Sequence, residues 1–153
     1  MKPFQRRYPD KKDLALQDNW SVSQGTYGGK PLIVRVNRGV EQAVGHPEFD
    51  HQVGIAVPLH SPDANGFPGP DESGQLDAIE DLLLTSLGAH RQCIFVAAIS
   101  TGGMREFVFY TSEPEATQKA LAELEASGGT HRLQHVIQKD PDWNVYRQLG
   151  SSG

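Results

Sequence analysis

The stretch QCIFVAAISTGGMREFVFY, residues 92–110, decides the fold. Two runs rich in β-branched and aromatic residues face each other across Thr101-Gly102-Gly103, and the glycine pair supplies the positive φ of a tight hairpin. On its N-terminal side, Leu76, Ile79, Leu83 and Leu87 recur at helical spacing, and Gly88 closes the helix. Before that helix, residues 49–59 alternate as a strand through Val53, Ile55 and Val57. On its C-terminal side, Ser112 and Glu115 read as a capping box with Pro114 in the first turn. Ala116, Ala120, Leu121 and Leu124 then form a buried stripe, Gly128-Gly129 stops the helix, and residues 130–138 supply a last strand. The order βαββαβ predicts an α+β, ferredoxin-like sandwich with both helices on one face of an antiparallel sheet and the other face open. Such a scaffold assigns no activity by itself.

The run 92–100 is apolar on both faces, yet the ferredoxin-like strand order puts it at a sheet edge, where it would invite aggregation. Something must cover it. The candidate is a second hairpin, in which residues 20–27 turn at Gly28-Gly29 into residues 31–37. The chain therefore divides into a loose arm (1–18), a single domain (19–147) and a disordered tail (148–153). The domain holds the extra hairpin at 19–39 and the ferredoxin-like unit at 49–138. Asp140-Pro141-Asp142 turns the chain, and Trp143 and Tyr146 pack it down. The segment 61–74, dense in Pro, Gly and Asp, reads as a loop long enough to carry function or to be mobile.

Composition narrows the function classes. With 37% apolar and 22% charged residues in 153, the chain suits one globular domain. It contains no apolar run long enough to span a membrane, and its first twelve residues are basic and polar, unlike a secretory signal. A lone cysteine, Cys93, excludes an internal disulfide framework and fits a reducing, cytoplasmic setting. A formal net charge of -5 argues against broad nucleic-acid binding, which needs clustered Lys and Arg.

Motif chemistry is thin. Six histidines raise the question of a metal. His131 and His135 fall in a strand, however, where four residues span about 13 Å and cannot share an ion. His46, His51 and His60 converge only with help from the loop, so no metal and no cofactor is expected. Cys93 precedes Ile94-Phe95-Val96 and reads as buried rather than nucleophilic. Neither a G-x-S-x-G elbow nor a phosphate-cradling glycine motif is present, so no catalytic residue is named. Glu80 and Asp81 are neighbours on a helix and read as a solvated face. Arg35 and Asn37 share a strand face, while Arg105 and Glu106 open another strand. Arginine beside Trp or Tyr binds carboxylate or phosphate, or else forms an internal Arg–Glu pair of little worth at a surface.

Three pieces carry a family resemblance: Trp20 with GKPLIVRVN at 29–37, GGMREFVFY at 102–110, and DPDWNVY at 140–146. From about Trp20 to Tyr146 the chain resembles the bacterial proteins grouped as domain of unknown function 695. Its C-terminal half is similar to the regulator of ribonuclease E activity B family, a resemblance that implies a non-catalytic inhibitor binding a ribonuclease. The chain is thus expected to be a non-enzymatic protein-interaction or regulatory module. Its candidate binding residues are Trp20, Arg35, Asn37, Arg105, Glu106, Tyr110, Trp143 and Tyr146, of which the Trp, Tyr and Arg residues are the types enriched at the energetic centres of interfaces. The alternative is a small enzyme or ligand-binding domain with a pocket under the 61–74 loop, where Asp63, Asn65, Asp71, His51 and His60 supply polar groups.

Overall fold

Strands Trp20–Tyr27 (β1) and Lys30–Asn37 (β2) pair antiparallel around Gly28 and Gly29, whose φ angles of 59° and 80° lie where side chains are strained. The computed structural model describes residues 8–88 and 92–151. Beyond the hairpin come His51–Pro58 (β3), Pro70–Leu87 (α1), Cys93–Thr101 (β4), Met104–Thr111 (β5), Pro114–Ala126 (α2), Gln134–Lys139 (β6) and Asn144–Ser151 (α3). The strands form one antiparallel sheet in the order β1-β2-β4-β5-β3-β6. This mixed α+β sheet departs from the simple four-strand ferredoxin pattern because the hairpin continues it past β4. Val34 of β2 lies opposite Ile99, and Arg35 opposite Ala98. The hairpin thus removes the edge that the composition of β4 could not tolerate.

One face of the sheet holds Val53, Ile55, Val57, Phe107 and Phe109 against Leu76, Ile79, Leu83 and Leu87 of α1 and Leu121 of α2. The opposite face was expected to be open, but over β2, β4 and β5 it is covered. Val34, Val36, Ile94, Val96, Val108 and Tyr110 pack there against Leu14, Val40, Phe49, Trp143 and Tyr146. A bulge between Phe95 and Ala97 turns both Val96 and Ala97 to this second face and lets Ala98 return to the first.

Several boundaries differ from the sequence reading, each for a local reason. Helix α1 begins at Pro70, so the loop ends at Gly69. Proline suits the first helical position, Asp71 and Glu72 suit the first turn, and exposed Gly74 is tolerated inside the helix. The capping box does not form. Thr111 Oγ1 accepts the Glu113 N–H at 3.0 Å, and Ser112 Oγ instead accepts from Lys11 Nζ at 2.7 Å. Strand β6 starts only at Gln134, because the buried His131 side chain is turned away into a contact with Glu72. Residues up to Ser151, read as tail, extend α3, while Ser152 and Gly153 lie outside the described residues. The arm from Tyr8 onward runs along the covered face, with Leu14 buried and the Tyr8 hydroxyl donating to the Val44 carbonyl at 2.7 Å.

Candidate interaction site

Register brings three of the eight candidate residues together on the α1 side of the hairpin. Trp20 stands at the open edge strand and tilts against Phe95, with ring centroids 4.9 Å apart. The Arg35 guanidinium lies 5.3 Å over the Trp20 ring and pairs with Glu80 of α1. Glu80 therefore belongs to this site rather than to a solvated face. Two concavities meet at Arg35. One, of about 500 Å³, runs from Trp20 and Glu80 to Lys11 and Leu14 of the arm. The other, of about 310 Å³, lies between the sheet and the loop, and is bounded by Arg35, Arg105, Ser100, Ser73, Phe67 and Pro68.

Arg105 is half-buried, and its Nε donates to Ser100 Oγ at 3.1 Å. Burial and the nearby charge of Arg35 weigh against its protonated form, and Asp77 and Glu80 support it. A guanidinium stays charged under such influences, so the cavity presents cationic donors beside an aromatic ring. Glu106 does not meet Arg105, since successive strand residues point to opposite faces. It lies over Gly54, half-buried, and burial pushes its carboxyl up.

The remaining candidates are buried and satisfied internally. Tyr110 and Trp143 stack at 3.9 Å with their planes 7° apart. The Tyr110 hydroxyl donates to Asp140 Oδ2 at 2.6 Å, and Trp143 Nε1 donates to the Phe49 carbonyl at 2.8 Å. Tyr146 donates to the Asn37 carbonyl at 2.8 Å, and Asn37 Oδ1 accepts the N–H groups of Asn19 and Gly39. A partner could reach Tyr110, Trp143 or Tyr146 only by opening the core, whereas Asn37, though buried, borders the Trp20 concavity. Residue type alone does not separate an aromatic residue at an interface from one in a core; the apolar spacing of Val145, Tyr146 and Leu149 after Trp143 was the missed signal.

The loop closes over the sheet, though not through the polar groups named for it. Gly66, at φ 85°, accepts the Gly103 N–H at 3.1 Å, and a Cβ there would sit 2.9 Å from that nitrogen. Asp63 is spent on its own turn, accepting from Asn65 and Phe67. His51 pairs with Asp50, His46 lies between the Pro9 carbonyl and the Glu48 N–H, and His135 lies between Glu125 and Gln118. His60 and His131 do converge, on Glu72, which sequence reading missed because it paired histidines by spacing and left the carboxylate out. Burial pushes the Glu72 carboxyl up, but the His60 N–H, the His131 imidazole and the Ser61 N–H outweigh it and hold it at about 2. Cys93 is buried against Thr117 Oγ1 at 3.3 Å, and burial raises its thiol, as suits a structural cysteine.

Among known families, one described as a family of unknown function, DUF695, has a model that matches residues 18–149. No curated protein and no solved structure matches the chain. No helix among the described residues is long and apolar enough to cross a membrane.

Proposed function

We propose that this chain, which belongs to the DUF695 family, is a non-enzymatic, cytoplasmic protein-interaction or regulatory module that binds its partner at the hairpin. The single observation that carries this reading is the convergence of Trp20, Arg35 and Arg105 on two adjoining concavities beside an exposed edge strand. Trp and Arg supply most of the binding energy in protein interfaces, and concave, half-buried placements are where they do so. Taken alone, β3 to β6 lie in the order β4-β5-β3-β6 with α1 and α2 as crossovers, which supports a ferredoxin-like unit carrying the hairpin. On the resemblance read from the sequence of its C-terminal half, the partner in this proposal is a ribonuclease or a comparable protein, which the module would regulate by binding. The test is affinity capture from native lysate with wild type, Trp20→Ala, Arg35→Ala and a distant control, Val136→Ala. A specific partner lost with the first two variants and kept with the third is the expected result. Recovery of the same proteins by all four, or turnover in an activity screen with no partner, ends the reading.

A second reading, a small-ligand site under the loop, is favoured by the half-buried cavity that holds Arg35 and Arg105. Its ligand would be a small carboxylate or phosphate held by guanidinium donors. Melting-temperature screens of such anions against wild type and Arg105→Ala decide it: a rise seen only in wild type supports the site, and no rise in either removes it.

A further inference from the structure

The base of the loop, the first turn of α1 and the segment before β6 bring together three side chains that share no motif: His60, Glu72 and His131. Their ligand-type atoms all lie within 4.8 Å of one another. His131 Nε2 is 2.6 Å from Glu72 Oε2, and His60 Nδ1 is 3.9 Å from the same oxygen. The His131 side chain is fully buried, that of Glu72 is 9% exposed and that of His60 is 55% exposed, so the cluster opens to solvent on one side only. About a tetrahedral zinc with bonds near 2.0–2.1 Å, donor atoms stand roughly 3.3 Å apart. The observed separations bracket that spacing, and the exposed His60 ring is the one free to swing and close it.

Fastening the loop does not need this arrangement. Glu72 alone does that work, by accepting the N–H groups of His60 and Ser61 at 2.6 and 3.2 Å. The exposed His60 ring lies parallel to His131, with centroids 3.9 Å apart and planes 8° from parallel, so a turn of this one ring brings its nitrogen toward the shared carboxylate oxygen. On its far side, His131 Nδ1 lies 2.9 Å from Thr130 Oγ1. A hydroxyl there can accept an Nδ1 proton and so leave Nε2 free to ligate, which is the outer partner that metal-bound histidines usually have.

We propose that His60, Glu72 and His131 form a binding site for a divalent transition metal of the zinc class, with a fourth coordination position open to solvent beside His60. Two imidazole nitrogens and one carboxylate oxygen suit that class better than magnesium or calcium, which take mostly oxygen ligands. On binding, the proton between His131 Nε2 and Glu72 leaves that position for Nδ1 or for solvent, and the ion takes its place. The inference stands apart from the hairpin reading, since none of its residues borders the Trp20 and Arg105 concavities.

The test uses the full chain, stripped with a chelator and titrated with zinc alone and with magnesium alone by calorimetry, with melting curves recorded at each metal concentration. Wild type should take up one zinc ion and melt higher with it, as any ligand of the folded state requires. His60→Ala, which keeps the backbone N–H that Glu72 accepts, should fold and bind zinc roughly tenfold or more weakly. His135→Ala should bind as wild type does. Failure of wild type to bind zinc stoichiometrically, or equal affinity in His60→Ala, overturns the proposal and leaves the cluster as a loop fastening only. Glu72→Gln and His131→Gln extend the test where they fold, and His60→Ala decides it where they do not.

Discussion

Removing a single oxygen at Tyr110 tests whether the aromatic cluster behind the sheet holds the fold together. Tyr110 is fully buried, and its hydroxyl donates to the Asp140 carboxylate at 2.6 Å and accepts the Tyr146 N–H at 3.3 Å. Asp140 also accepts the N–H groups of Asn144 and Val145, and so caps the first turn of α3. Tyr110→Phe keeps the ring, its stack on Trp143 and the volume of the core. It deletes a hydrogen bond to a charged acceptor, worth about 1.5–3 kcal/mol, and leaves the Tyr146 N–H without its partner at about 1 kcal/mol more. The expected loss is about 2–4 kcal/mol, or a fall in melting temperature of roughly 5–15 °C for a chain of this size. Urea unfolding at neutral pH, followed by circular dichroism and by tryptophan fluorescence, measures it. Tyr27→Phe, at a residue 73% exposed, serves as the control and should change stability by less than about 0.5 kcal/mol. If Tyr110→Phe matches that control, the Tyr110–Asp140–α3 network is not holding the second face closed.

Two further outcomes follow from the same packing. Burial, and secondarily the charge of Glu41, push the Tyr146 hydroxyl from 10 up to about 12, with Arg38 opposing. Because the folded value is the higher one, the stabilisation is complete below pH 10 and is lost as the pH rises toward 12. At about 1.4 kcal/mol per pH unit this amounts to about 3 kcal/mol. Tyr146→Phe should flatten that alkaline loss while costing about 1 kcal/mol at neutral pH for the bond to Asn37, and parallel pH profiles for the two proteins would refute it. Deleting residues 1–37 strips β4 of its β2 partner, leaving it paired only with β5, and removes Leu14, Val34 and Val36 from the core. Those side chains contribute about 1.5–3 kcal/mol each, a large share of the ~5–15 kcal/mol that holds a domain together. The truncated chain should aggregate or dimerise in sedimentation, and a monomer melting near the full-length temperature would show the hairpin to be dispensable.

Elements with strong periodicity were legible in the sequence. Leu76, Ile79, Leu83 and Leu87 are all buried on one stripe of α1, and the apolar excess of β4 called for a covering strand that β2 supplies. What escaped was whatever depends on contacts distant in sequence. Asp140 and Tyr110 are thirty residues apart, and Glu72 and His131 fifty-nine. Local pattern carries no information about such pairs. The capping box failed for a related reason: a tertiary partner, Lys11, lies one hundred and one residues away and takes the serine that the motif assigned to the helix. Helix α3 went unread because Gly150 and the serines beside it resemble a tail, whereas Val145, Tyr146 and Leu149 hold its apolar side against the core.

The candidate site divides along the same line, and the division bears on what it can bind. Tryptophan and tyrosine suit both an interface and a core, so residue type could not separate Trp20 from Trp143. Satisfaction separates them: Trp143 has its stack and its carbonyl acceptor inside the fold, while Trp20 leans on one ring at an exposed edge. The two arginines differ in the same way. A carboxylate arriving at Arg35 competes with Glu80, which already occupies its guanidinium, so that exchange gains little net free energy. Arg105 makes its hydrogen bond to Ser100 through Nε and pairs with no carboxylate among the described residues. It borders the cavity that Phe67 and Pro68 also line. An incoming anion therefore gains most at Arg105, and an apolar or aromatic side chain gains most against Trp20. On the proposed interaction reading, a partner that engages both would present the two groups side by side, flanking the Arg35–Glu80 pair.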